Sequence, residues 1–386
     1  MSRGATRAGR TAGALALGLL IASCGGDDGT TAAPETCTVP DGEGVAVPLD
    51  GDLCTHLSTY RLFTDVVAQA PVDGLVPYDL NTPLFSDYTD KARFLWLPPG
   101  AAMTWADVAS FDMPVGTLIA KTFAYPLDRR DRSLGRRLLE TRVLVHQTAG
   151  WKAAAYVYDP AGADAPGGLD ATLSKAGEFL DVDWIHDDGS TRHNRYAVPN
   201  INQCGQCHEE AVDHLGPIGP KARHLNRDVP GGTTNQLDGW IARGQLTGAP
   251  APATWPAAPA FDDERAPLED RARAWLDINC AHCHNPRGAA RTSGLDLSIT
   301  QTEPSMLGVC KAPVAAGTGS GGRRFAIVPG DPDASFLVYR LESTEPQIRM
   351  PELGRNLVHA EGVALIRAWI EAMPGSCEPT PPAAVP

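Results

Sequence analysis

The chain contains the same five-residue pattern twice: Cys-X-X-Cys-His occurs over residues 204–208 and again over residues 280–284. On one turn of helix, positions i, i+3 and i+4 lie on a common face. Two thiols and one imidazole can therefore reach the same bound group from one short segment. This spacing is the attachment signature of a c-type haem, in which two sulfur atoms bond to the porphyrin and the histidine coordinates its iron. The doubled pattern predicts two covalently bound haem c groups, held through Cys204, Cys207, Cys280 and Cys283, with His208 and His284 as axial iron ligands.

Other uses of a Cys-X-X-Cys unit fit this chain less well. Paired units in zinc ribbons usually stand about 15–20 residues apart, whereas Cys207 and Cys280 are 73 positions apart. A thioredoxin-like dithiol does not need a histidine directly after each motif. The spacing therefore favours haem attachment over a zinc half-site or a redox dithiol.

Composition and charge narrow the class of protein and partner. Glycine and proline number 39 and 33 in 386 residues, which favours a loop-rich protein over long helices. The formal net charge is −13, and it becomes −16 without a predicted leader that holds three arginines and no acidic residue. This acidity argues against nucleic acid and against a surface that lies on anionic lipid, and it is compatible with a basic redox protein as partner.

The amino terminus has the layout of an export signal. Its arginines precede an apolar run over residues 14–22, which is too short to span a membrane. The run ends in Ile-Ala-Ser followed by Cys24, which resembles the lipobox of bacterial lipoproteins. We expect residues 1–23 to be a lipoprotein signal peptide and Cys24 to carry the lipid; a plain signal peptide cut nearby is the alternative. The chain would then be exported and lipid-anchored, either periplasmic or associated with the outer membrane, and Gly25 favours the outer membrane.

Four cysteines remain after the lipid and the haems are assigned: Cys37, Cys54, Cys310 and Cys377. In an oxidising compartment these four cysteines can pair to form two disulfides. Of the three possible pairings, the most local joins Cys37 to Cys54 and Cys310 to Cys377. We take that pairing as a hypothesis.

Residues 57–198 are predicted to form a β-rich domain, preceded by a flexible polar tether over residues 24–56. Alternating apolar residues and turn signals predict strands that pair as hairpins. The predicted strands are 138–146 with 151–158, and 179–185 with 191–198. We expect an antiparallel, sandwich-like domain without a catalytic constellation.

The first motif lies in a predicted module over residues 199–250, followed by a Pro/Ala-rich linker over 251–266. A short helix is expected over 234–243, with Asn235 as its cap. No methionine occurs between the two motifs. The sequence therefore leaves two possibilities for the sixth position of the first iron. Either it has no protein ligand, or the ligand is one of four residues: His214, His224, Met103 and Met113.

Residues 267–378 are predicted to form a second haem domain. Apolar residues at helical spacing predict helices over 267–278, directly before the second motif, and over 359–373. Met350 is our choice for the sixth ligand of the second iron, because a thioether suits iron and raises its reduction potential. The alternatives are Met306 and Met373.

Residues 267–377 resemble an exported bacterial cytochrome c domain of class I. The likeness rests on NCAHCH at 279–284, IVPGDPDAS at 327–335, Met350 followed by proline, and AWI at 368–370. Most of the chain from 75 to 377 is similar to a family of exported bacterial proteins with two c-type haems. The matching phrases are PYDLN at 77–81, LFSDY at 84–88, ETR at 140–142 and GPKAR at 219–223. The resemblance implies electron transfer without a known substrate, and it assigns the same cysteines and histidines to the haems.

The expected fold class is α+β and multidomain, with an antiparallel β-rich domain followed by two mainly α-helical cytochrome c-like modules. The expected function is an electron carrier rather than an enzyme, which exchanges electrons with redox protein partners and needs no catalytic residue. Two alternatives stay open. The first iron could lack a sixth protein ligand and act as a peroxidase-like enzyme, or the β-rich domain could be a binding module that docks a dehydrogenase.

Overall fold

The largest sheet among the residues that the structure describes has six antiparallel strands and is called the central sheet. The computed structural model describes residues 35–160, 168–211, 214–314 and 317–377. Within these ranges the strands are β1 (Phe63–Asp65), β2 (Ala70–Pro71), β3 (Val76–Tyr78), β4 (Asp90–Trp96), β5 (Met103–Thr104), β6 (Leu118–Pro126), β7 (Arg136–Gln147), β8 (Gly150–Tyr158), β9 (Ala171–Leu173), β10 (Glu178–Ile185), β11 (Thr191–Val198), β12 (Glu209–Ala211), β13 (His214–Leu215) and β14 (Leu246–Thr247). The α-helices are α1 (Ile201–His208), α2 (Ala222–Leu225), α3 (Gln236–Ala242), α4 (Leu268–Asn279), α5 (Phe336–Glu342) and α6 (Ala360–Glu371). The central sheet has the strand order β3-β4-β6-β7-β8-β9.

The strands predicted from alternation are confirmed. Strands β7 and β8 cover the first predicted hairpin and pair with each other in the central sheet. Strands β10 and β11 form the second hairpin, as a separate two-stranded sheet. Gly189, in the turn of that hairpin, has a φ of +82°, which a residue without a Cβ adopts readily. The alternation of apolar residues was sufficient to predict both hairpins, because each hairpin joins segments that are close in the chain.

The two faces of the central sheet bury different parts of the protein, because successive side chains of a strand point to opposite sides. One face packs against residues before the sheet, through a core that includes Phe94, Ala120, Val143, Val47 and Leu53. On the opposite face, an apolar row across four strands packs against helices α1 to α3; the row is Leu95, Ile119, Leu144 and Ala153. The β10–β11 hairpin covers another part of this second face. The helix that bears the first motif therefore rests directly on the sheet.

The segment before the sheet is not a free tether. Val47 and Cys54 are buried in the core of the first face, and the Cys37–Cys54 disulfide closes this segment. The flexible tether predicted over 24–56 is therefore wrong for its described part. In the predicted linker over 251–266, Trp255 is also buried, with its ring centroid 5.7 Å from that of Trp105.

The prediction of two mainly α-helical cytochrome c-like modules is wrong. Of the residues that the structure describes, 21% are helical and 24% are in strands. Helices α1, α2 and α3 have only 8, 4 and 7 residues, and α4, α5 and α6 have 12, 7 and 12. Eight glycines and five prolines lie over residues 285–335, between α4 and α5, and both residue types oppose helix formation. Both modules therefore consist largely of loops around short helices.

Three predicted helices are nevertheless present. Helix α3 begins after Asn235, whose side chain accepts a hydrogen bond from the backbone N–H of Leu237. Helices α4 and α6 lie where the periodicity placed them and pack together, through side chains that include Trp275, Ile366 and Trp369. The second motif thus follows a helix that is held by the carboxy-terminal helix.

Both predicted disulfides are confirmed: Cys37 bonds to Cys54 and Cys310 bonds to Cys377. The predicted signal peptide over 1–23 and the predicted lipid site at Cys24 lie outside the described residues. Among the residues that the structure describes, every helix is too short or too polar to cross a bilayer.

Candidate functional site

The first Cys-X-X-Cys-His motif occupies the second half of helix α1, as its spacing predicts. Asn200 caps this helix: its side chain accepts from the backbone N–H of Gln203, and the Gln203 side chain accepts from the N–H of Asn200. Cys204 is buried in the apolar cluster between the helix and the sheet. Cys207 is half-buried and His208 is the last helical residue. The cap therefore fixes the short helix that presents the three groups.

The second motif continues directly from helix α4. The backbone N–H of Cys280 donates to Leu276 O at 2.8 Å, and the N–H of His284 donates to Cys280 O at 2.9 Å. Cys283 N–H also donates to Cys280 O, at 3.1 Å. The motif thus forms one hydrogen-bonded turn, and its two cysteines and histidine are each half-buried.

Each motif histidine uses Nδ1 for a hydrogen bond within the protein. His208 Nδ1 lies 2.9 Å from Gly216 O, which can only accept, so Nδ1 carries the proton. His284 Nδ1 lies 3.0 Å from Ser293 Oγ, whose own proton is donated to Ala290 O at 2.7 Å. Nε2 is consequently the nitrogen left with a lone pair on both rings. A ligating histidine in metalloproteins typically has this arrangement.

Burial also favours the neutral form of both rings. It lowers the pKa of His208 and of His284 to about 4. Both imidazoles are therefore unprotonated at Nε2 at pH 7, as ligation of iron requires. Two cysteine sulfurs and one available imidazole nitrogen per motif fit the attachment of one c-type haem at each.

The two motifs touch each other in the folded chain. Cys283 Sγ lies 3.8 Å from Gln206 O, across 77 sequence positions. The neighbouring side chains of Cys283 and His282 also lower the pKa of the Cys207 thiol. The predicted attachment points of the two haems therefore lie side by side, which sequence reasoning did not predict.

Met350 lies in the loop after helix α5 and is half-buried. Its N–H donates to Arg340 O at 3.0 Å, and its carbonyl accepts from Arg355 at 3.0 Å from Nε and 2.7 Å from Nη2. The charge of Arg340 contributes, after burial and His282, to the lowered pKa of His284. The Met350 loop is therefore anchored by the buried Arg355.

The other candidate ligands have different surroundings. His224 is fully buried, and its Nε2 lies 2.7 Å from Asp277 Oδ2, so that nitrogen already has a partner. Met103 and Met113 are buried in the same apolar cluster as Cys204. Met306 is half-buried and Met373 packs at the edge of the α4–α6 core. The side chain of His214 lies outside the described residues.

Several residues that support the site were missed by sequence reasoning. Gly216 and Ser293 accept from the motif histidines, and Asp277 joins the two motif-bearing segments through Arg223. Gly216 is a loop residue eight positions after His208, and Ser293 ends a short 3₁₀ helix nine positions after His284. No periodicity or motif marks such positions, so no local signal could have identified them.

No model of a protein family matches the chain, and no curated protein or solved structure matches it either. The resemblance to exported two-haem cytochromes thus stays a prediction.

Proposed function

We propose that the chain is an extracytoplasmic dihaem c-type cytochrome that carries electrons between redox protein partners. A bound c-type haem supplies one-electron chemistry, because its iron alternates between two oxidation states. The protein residues would attach the cofactors, orient their ligands and exclude water. No general acid, base or nucleophile is needed for this function.

Different residues would attach the haems and ligate their irons. Cys204 and Cys207 would hold one haem, and Cys280 and Cys283 the other. His208 and His284 would offer Nε2 to the irons, while Gly216 O and Ser293 Oγ keep each ring in one tautomer and orientation. Met350 would complete the second site, and a thioether there favours the reduced state and raises the potential.

The contact between the two motifs is the observation that carries the proposal. Electron transfer between cofactors slows steeply as their separation grows, so two attachment points in contact favour rapid exchange within one molecule. Cys283 Sγ is only 3.8 Å from Gln206 O. A two-centre electron carrier gains from this proximity. The spin state of the two haems separates the carrier from the peroxidase-like alternative, in which the second haem would feed electrons to the first.

The compartment also supports the proposal. Two disulfides join the four cysteines that lie outside the motifs and the predicted lipid site, and disulfides persist in oxidising, extracytoplasmic environments. Export and a lipid on Cys24 would hold the carrier at a membrane surface. The net charge of −13 favours a partner with a basic docking surface.

Mass spectrometry of the exported protein tests the proposal. Co-expressed with a c-type haem maturation system, the wild-type chain should carry the mass of two haems and keep peroxidase stain after denaturation. Cys204→Ser/Cys207→Ser and Cys280→Ser/Cys283→Ser should each lose one haem. Cys37→Ser/Cys54→Ser is the matched control, because it removes two cysteines outside the motifs and should keep both haems.

Two results would decide against the proposal. A wild-type protein with the mass of its bare chain and lipid contradicts haem attachment altogether. Two attached haems with a high-spin spectrum that shifts on adding cyanide or peroxide would instead support the peroxidase-like alternative. Two low-spin haems whose spectra change with neither cyanide nor peroxide support the electron carrier.

A further inference from the structure

Three cations form a row across the central sheet. Arg93 of β4 pairs in register with Lys121 of β6, and Lys121 pairs with Arg142 of β7. Directly opposed residues of neighbouring strands point to the same face. Like charges directly opposite each other destabilise a sheet, so this row needs compensating negative charge.

Two of the three cations already have a carboxylate. Arg93 Nη1 lies 2.6 Å from Asp79 Oδ1. Arg142 contacts the buried Glu140, with Nε 3.0 Å from Oε2. Among the described residues, no carboxylate and no hydrogen-bond acceptor reaches the Lys121 ammonium, which lies 4.9 Å from the ring centroid of Phe123. The half-buried Lys121 is therefore the cation of the row without a contacting anion, although the charge of its diagonal neighbour Glu140 acts on it.

The row lies on the face of the sheet that meets the first motif. Ile119 and Leu144 are two positions from Lys121 and Arg142 on the same strands, so their side chains share a face with the cations. Both pack in one cluster with Cys204. The charge of Lys121 also contributes to lowering the pKa of His208, after burial and the Gly216 bond. The unpaired ammonium thus lies within electrostatic reach of the first motif.

An open cleft borders the same row. It has a volume of about 490 Å³, and its lining combines the cations Lys91, Arg93 and Arg129 with four carboxylates, those of Asp79, Asp90, Asp187 and Glu361. Burial, with Arg142 and Arg93 adding to it, lowers the pKa of Lys121 to about 7. A nearby anion would restore the charge of this lysine. The cleft arginines already have carboxylate partners, Asp79 for Arg93 and Asp187 for Arg129, so Lys121 is the place in the row where an added anion would bind.

We propose that the row Arg93–Lys121–Arg142 binds the propionate carboxylates of the haem attached at Cys204 and Cys207, with Lys121 as their principal partner. This inference rests on the proposed function, and it assigns the β-rich part of the chain a role in the cofactor site. The sheet then forms the charged wall of the first haem pocket and positions the cofactor; it is not a separate docking module.

Resonance Raman spectra and redox titrations of the two-haem protein test this inference. Lys121→Gln should shift the propionate bending band. It should also lower the midpoint potential of one haem by about 59 mV, a tenfold change for one electron, because a cation that offsets the carboxylates is lost. Lys121→Arg keeps the charge and should leave the potential close to wild type. If the glutamine variant does not fold, Lys121→Met replaces it and keeps the apolar stem.

Lys152→Gln is the matched control. Lys152 belongs to the same sheet but pairs with Val145 of the opposite face, where its ammonium donates to Gly51 O at 2.5 Å. The Lys152→Gln variant should change neither the propionate bending band nor the midpoint potential of either haem. A Lys121→Gln protein with two haems and an unshifted band overturns this inference, even if the potential moves, because a distant charge alone would do that. Wild-type protein without haem overturns the proposed function itself, so the two failures are distinguishable.

Discussion

Arg223 and Asp277 form a doubly hydrogen-bonded ion pair between the two motif-bearing segments, with Nε 2.8 Å from Oδ2 and Nη2 3.0 Å from Oδ1. Both side chains are buried, at 5% and 0% exposure. Burial alone would raise the pKa of Asp277, but the hydrogen bond from His224 and the charge of Arg223 hold it well below its usual value. The backbone N–H of Ile299 also donates to this carboxylate. One acidic side chain therefore joins helix α2, helix α4 and the loop after the second motif.

Removing the Asp277 carboxylate should strongly destabilise the protein. Asp277→Ala leaves the buried Arg223 charged and without an anionic partner, which typically costs about 3–5 kcal/mol. We expect a much lower urea midpoint for the two-haem protein, measured by far-UV circular dichroism. The exposed pair of Asp333 and Arg367 provides the control, with Asp333 82% exposed; Asp333→Ala should cost no more than about 1 kcal/mol. Equal midpoints for the two variants would show that the buried pair adds nothing.

The Ser293 hydroxyl should tune the second haem through His284. Loss of the Nδ1 acceptor in Ser293→Ala makes the imidazole a weaker donor to iron, which favours the reduced state. The midpoint potential of one haem should rise, as followed by spectroelectrochemical titration. Ser293→Thr retains a hydroxyl and should behave like wild type, and so should Ser305→Ala at an exposed serine. An unchanged potential in Ser293→Ala would mean that the hydroxyl does not position the ring.

Replacing Met350 should affect only the second haem. Met350→Leu removes the thioether while keeping the apolar volume similar, so one haem should lose potential and gain affinity for cyanide. Titration by absorbance under reducing and oxidising conditions measures both effects. Met306→Leu and Met373→Leu are the matched controls and should change neither. If one of these two variants gives the effect instead, that methionine is the ligand.

The two disulfides should contribute unequally to stability. They close loops of 67 residues for Cys310–Cys377 and 17 residues for Cys37–Cys54. Loop-closure entropy then predicts losses of about 4 and about 3 kcal/mol when each pair is replaced by serine. Urea unfolding of the two double variants measures the difference. A larger loss for the shorter loop would indicate that native-state packing outweighs chain entropy.

His359 should make the protein less stable in acid. Burial lowers its pKa from the usual 6.5 to about 4, and Trp275 Nε1 donates to its Nδ1 at 3.1 Å. Between these two values the unfolded chain binds more protons than the folded protein. Stability is therefore complete above pH 6.5 and falls by about 3 kcal/mol as the pH drops towards 4. His359→Gln keeps an acceptor for Trp275 and should flatten this fall in a pH series of urea midpoints; an unchanged slope would assign the acid sensitivity to other groups.

Elements that are set by neighbouring residues were predicted correctly, whereas most arrangements that depend on distant segments were not. Alternation over β7 and β8 and helical spacing over α4 and α6 are set by neighbours in the chain, and these elements were placed correctly. The expectation of mainly helical modules failed because the motifs occupy single turns. A resemblance centred on those turns says little about the glycine- and proline-rich loops between them.

The spacing of two cysteines and a histidine is a local property, so the sequence alone marked both candidate haem motifs and the helix before the second one. The disulfide pairing was a hypothesis, the most local of three, and the structure confirms it. The contact of Cys283 with Gln206, the alignment of Lys121 between two arginines and the burial of Asp277 beside Arg223 depend on distant segments meeting in one register. Strand register and helix docking minimise the free energy of the whole chain. They arise from many weak contacts spread over its length, and no short stretch of residues encodes them.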